Sequence, residues 1–110
     1  MLSLADNFIS DKYSGKWRII ESDYTDLPDP GYVTLKRIQA SGFKIGRLQG
    51  IMDCRIEEYG GSERIEFSWY GKIGTVIAYG RGWAIIRDEK LCGRIYIHDG
   101  DDSEFVAVRV

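Results

Sequence analysis

The chain is poor in the residues that carry most metal and nucleophilic chemistry. It has one histidine, His98, and two cysteines, Cys54 and Cys92. The cysteines lie far apart, so no CxxC redox or zinc motif exists. With one histidine besides, a structural zinc site within a single chain is not expected. A basic excess is missing too: 15 Lys and Arg stand against 17 Asp and Glu, a formal net charge of -2. The positive residues are scattered among acidic ones, so neither nucleic acid nor an anionic membrane is an expected partner. No apolar stretch approaches the ~20 residues that a membrane helix needs. The opening "MLSLADNFISDKYSGKW" has no basic n-region, and Asp6, Asn7 and Asp11 interrupt any apolar one, so it does not read as a signal peptide. A cytoplasmic location is the expectation, and with it two reduced thiols. Only two prolines occur, Pro28 and Pro30, and both fall in the loop "TDLPDPG" at residues 25–31.

What is present suits one compact domain over residues 1–110. The chain is 44% hydrophobic and 13% aromatic, with 13 glycines, a composition of strands and tight turns. The first dozen residues are the one candidate helix: Ser3 with Asp6 is a weak capping pattern, and Leu4 and Phe8 share a face. From Lys16 onward the apolar pattern has period two. "KWRIIESDY", "YVTLKRIQ", "FKIGRLQG", "IMDCRIEEY" and "ERIEFSWY" read as strands, with "YGGS" (residues 59–62) as a hairpin turn. "GKIGTVIAYGRG" reads as a long loop holding a short strand at residues 75–79. "WAIIRD", "LCGRIYIHD" and "SEFVAVRV" are strands again, the first two joined by a turn at "DEK". About eight strands with short connections predict an antiparallel meander, closed into an up-and-down barrel. A two-sheet sandwich is the alternative.

"GKW" at the head of the first strand resembles the GxW signature of calycins, the group of lipocalins and avidin-like proteins. The resemblance implies a calycin-like barrel in which Trp17 closes one end. It also implies a late basic residue packed on that ring, for which Arg109 is placed. Through "WRI", "MDCR", "FSW", "GRGWA" and "GRIYIHDGDDSEFVAVR" the chain also looks like a family of small uncharacterised bacterial proteins. That implies a stand-alone bacterial domain and nothing about chemistry.

The most site-like cluster is "HDGDDS", residues 98–103. His98, Asp99 and Asp101 could ligate a metal. The spacing does not meet the calcium-loop pattern, and Asp-Gly between strand-like flanks reads first as a hairpin turn. His98 alone could ligate haem, but no other residue supports that. In "MDCR" Cys54 faces away from Asp53 and Arg55, so it lacks an activating partner. "YGRGWA" carries Arg81 between two glycines without a phosphate-loop motif. By parity Arg47, Arg87 and Arg109 continue apolar faces inward, and so do Glu21 and Asp99; the alternative is that the strands twist outward at their ends and the Arg heads reach water. An interior holding such residues would take a small polar or anionic molecule. The expected ligand-binding set is Trp17, Arg47, Trp69, Arg81, Trp83 and Arg109. No cofactor is expected, and the oligomeric state stays open, a homodimer included. Non-catalytic binding in the barrel or at its mouth ranks first. A structural or protein-interaction domain with a filled core ranks second. Metal-dependent activity at the 98–103 turn ranks third, for want of a nucleophile–base pair.

Overall fold

The computed structural model describes residues 12–24, 29–37 and 40–110. Eight strands follow one another: β1 Gly15–Ser22, β2 Gly31–Leu35, β3 Ser41–Ile45, β4 Leu48–Tyr59, β5 Ser62–Ile73, β6 Val76–Arg87, β7 Lys90–Ile97 and β8 Asp102–Arg109. Each pairs antiparallel with the next, and β8 returns to β1 to close the barrel. Closure gives every strand two neighbours; among the described residues β4 beyond Met52 extends past its β3 partner. The candidate helix falls on residues outside those described. Among the described residues, no helix is long and apolar enough to cross a membrane.

Period two governs the burial. In β5, Ile65, Phe67 and Trp69 are buried, while Ser68 and Tyr70 are exposed. In β4, Met52 and Cys54 are buried between exposed Ile51, Asp53 and Arg55. The centre holds Trp17, Ile19, Phe43, Ile45, Leu48, Ile65, Phe67, Trp69, Leu91, Ile95 and Phe105. Each such fully buried aliphatic side chain contributes about 1.5–3 kcal/mol. The rings fit because glycines stand where they point. A Cβ at Gly82 would lie 2.3 Å from Phe67 Cζ, one at Gly50 2.8 Å from Trp69, and one at Gly93 2.7 Å from Phe105. The interior is therefore packed by large side chains set against absent ones.

Several expectations need correction. "FKIGRLQG" is two strands: Gly46 and Arg47 form a turn between β3 and β4, and Gly46 has φ +59. Arg47 is thus an exposed turn residue rather than an inward one. "YVTLKRIQ" ends as a strand at Leu35, where Ser41 Oγ accepts the Lys36 N–H at 3.0 Å. "GKIGTVIAYGRG" is no long loop; β5 and β6 run through it, with only Gly74 and Thr75 as the turn. Finally, Trp83, Ile85 and Arg87 lie on the outer face of β6, and the buried positions are Ala78, Gly82 and Ala84. Glu21 is exposed because a bulge between Ile19 and Glu21 shifts the β1–β8 register. Asp99 sits in the turn after β7, exposed.

The β6–β7 turn places two consecutive non-glycine residues in the left-handed region. Asp88 and Glu89 have φ of +52 and +65, a left-handed conformation that costs an L-residue about 1–2 kcal/mol. Replacing Glu89→Gly should therefore stabilise the barrel by up to about 1 kcal/mol after the added unfolded-state entropy. Urea unfolding of the variant checks this.

Candidate functional site

The antiparallel order sends alternate connections to opposite ends. The β4–β5 and β6–β7 turns and the chain's last strand end share one end with residues 12–14. The β3–β4, β5–β6 and β7–β8 turns share the other.

At the first end Trp17 and Arg109 are cross-strand partners on the β1–β8 seam. The Arg109 guanidinium lies 4.3 Å from the centroid of the Trp17 ring. Its two amino groups donate to the carbonyls of Ser14 and Lys12. Trp17 Nε1 donates to the carbonyl between them, that of Tyr13, at 2.8 Å. Three successive carbonyls of the entering chain are thus held by two side chains. Gly15 leaves the room: a Cβ there would lie 2.9 Å from Arg109 Nη1. The ring of Tyr13 is buried, its hydroxyl donating to the Glu63 carbonyl at 3.4 Å. Burial pushes the Tyr13 hydroxyl's pKa up. Lys12 pairs with Glu63 at 3.0 Å. These contacts close the end; they leave Trp17 and Arg109 engaged with the chain's own groups.

Trp69 is interior. It meets Phe43 edge-on at 5.3 Å, and its Nε1 donates to the Tyr96 carbonyl at 3.1 Å. Arg47 lies at the far end, where its guanidinium covers Gly74 of the neighbouring turn. The "HDGDDS" segment is the β7–β8 turn, with Asp99 at φ +58. His98 stacks on Tyr79 at 4.7 Å, its backbone N–H donates to the Tyr79 carbonyl at 2.8 Å, and its Nε2 is 3.5 Å from Asp99. Among the described residues, no three His, Cys, Asp or Glu side chains gather as a metal site would need.

Arg81 and Trp83 come together with His98 and with three residues not singled out from the sequence, Arg64, Glu66 and Tyr96. Together they line a groove of about 490 Å³ on the outer wall. Arg64 lies 5.3 Å from the Trp83 ring and pairs with Glu66 at 3.0 Å. Trp83 Nε1 reaches the Tyr96 hydroxyl at 3.4 Å. Next to Trp83 on β7, Arg94 pairs with both Asp102 and Glu104. Beside it, Ile51, Tyr70 and Tyr79 form one exposed row across β4, β5 and β6. The sequence held one signal for this wall: large apolar residues on the polar parity of a strand, as Tyr70 is in "ERIEFSWY". The arrangement offers flat rings and paired charges for recognition. Cys54 is the buried thiol nearest to chemistry, and burial pushes its pKa up to about 12. It stays protonated and inert near neutrality.

The six expected ligand residues therefore occupy four places: a clasped end, the core, the opposite turns and the outer wall. No protein-family model, curated protein or solved structure matches the chain.

Arg109→Ala should destabilise the fold by about 1–3 kcal/mol through loss of the ring contact and two hydrogen bonds. Arg109→Lys should recover less than half, because an ammonium cannot lie on the ring and bond two carbonyls together. Thermal unfolding followed by tryptophan fluorescence reads both. Cys54 supplies a pH test. Its native thiol binds its proton more tightly than the unfolded one, so its contribution is intact below the ordinary value of 9.0. That contribution is lost between there and about 12. Stability should fall across that window, and less steeply in Cys54→Ala, measured by urea unfolding at each pH.

Proposed function

We propose that this chain is a non-catalytic interaction domain that binds through the outer wall of its barrel over β4 to β7. The carrying observation is the interior: rings and aliphatic side chains occupy it, while Ile51, Tyr70, Ile77, Tyr79 and Tyr96 are exposed on one wall. A contiguous exposed apolar surface rimmed by charge is the usual mark of a recognition face. The clasped Trp17 and the buried Trp69 support the same reading, since both already have partners. A cytoplasmic setting fits two free thiols. The meander order and the Gly15–Trp17 pair support kinship with calycins, on fold analogy.

A second reading keeps a small ligand but moves it outside. The groove at Arg81 and Trp83 offers a guanidinium and an indole face to a planar or anionic molecule.

Native mass spectrometry of the chain purified from its own host separates these readings. The interaction reading expects the bare chain mass, and expects Tyr70→Glu to lose partner capture while unfolding within about 0.5 kcal/mol of the parent. A retained small molecule that disappears in Trp83→Ala supports the outer groove instead. One that survives Trp83→Ala places the ligand elsewhere, the barrel interior included, and overturns both.

A further inference from the structure

We propose that the partner of the outer wall is a second copy of this chain, docked about a two-fold axis lying along β5. The inference rests on the interaction reading and names its partner. Strands have a neighbour on both sides along most of their length, the stretch of β4 beyond Met52 on its β3 side excepted among the described residues, so a partner that covers the exposed apolar side chains uses a face.

The exposed side chains make that face apolar. Ile51 is 65% exposed, Tyr70 60%, Tyr79 47% and Ile77 67%. Together they present on the order of 500 Å² per copy, the size of a monomer's largest functional patches. A standard interface takes about 800 Å² from each partner, and the flanking polar residues supply the difference.

The strand register decides the occupant. Ile51, Tyr70 and Tyr79 form one row, and Asp53, Ser68 and Arg81 form the next. A two-fold axis along β5 sets each β4 residue against the β6 residue of the same row in the other copy. Ile51 then meets Tyr79, and Asp53 meets Arg81, twice per dimer. Tyr70 packs on its own counterpart. Glu66 would face its copy, but it is already paired with Arg64 at 3.0 Å. Lys72 would too, and its long exposed stem lets the ammonium swing to water.

Other axes fit worse. One between β5 and β6 opposes Arg55 to Arg94, and one along β6 opposes Asp53 to Asp102 and Arg81 to itself. One along the row leaves Asp53 and Arg81 facing Gln49 and Ile77. Of these axes, the β5 axis alone pairs opposite charges around an apolar centre, as self-recognition needs.

The test is sedimentation velocity of the full chain from micromolar to sub-millimolar concentration. The parent should pass from monomer to dimer. Asp53→Arg and Arg81→Asp should each weaken the dimer by about tenfold or more, by setting like charges opposite. Mixing these two variants should restore association as a heterodimer, because each supplies the charge that the other lacks. A contact within one chain could not be rebuilt by mixing. A parent that stays monomeric overturns the proposal, as does a mixture that stays monomeric. If that monomer still loses partner capture on Tyr70→Glu, only self-pairing has failed and the interaction reading stands. A dimer indifferent to Tyr70→Glu places self-association elsewhere and overturns the proposal too.

Discussion

The barrel depends on the seam where its first and last strands meet. Every other pairing joins neighbours in sequence across a loop or turn. The β1–β8 pairing joins residues nearly a full chain apart, so its loop-closure entropy is the largest of the fold. The seam is reinforced where it is weakest, at its end. Arg109 lies flat on its cross-strand partner Trp17 and bonds backward to the Lys12 and Ser14 carbonyls. A planar guanidinium serves both contacts at once, with the ring on its face and the carbonyls at its edge. Tyr13, next in the same segment, is itself buried.

That closure sets what the rest of the molecule can do. Eight strands around a common axis leave room for packed side chains or for one small ligand. Here Gly50, Gly82 and Gly93 yield their space to Trp69, Phe67 and Phe105. Packing by exchange of size leaves the recognition chemistry to the outer parity of the strands. Three long neighbours, β4, β5 and β6, carry the most outer surface, and there the aromatic and aliphatic side chains accumulate.

Much of this architecture was legible in the sequence. Residues 64–70 alternate cleanly, and "YGGS" and "HDGDDS" state their turns in Gly and Asp. Arg109 on Trp17 came with the GxW resemblance. β6 was not legible, because its inward residues are Ala78, Gly80, Gly82 and Ala84. Small residues send no hydrophobic signal, so Trp83 and Ile85 passed for the core face. Glu21 was misplaced by a bulge that only the pairing with β8 reveals. Arg47 was misplaced because Gly46 turns the chain just before it. The outer wall was hidden for a different reason. Ile51, Tyr70 and Tyr79 become neighbours only through register, which no single strand encodes.

The seam also has a topological meaning. Val110 donates its N–H to the Lys16 carbonyl at 3.0 Å, so the chain leaves the barrel beside the place where it enters. The eight strands form a ring in which the break between last and first is one gap among eight. A short linker across that gap would let the polypeptide be reopened at another exposed turn, such as Asp88–Glu89, with the strand order around the ring unchanged. The clasp would then lie within a continuous chain, holding together the entry to β1 and the exit from β8.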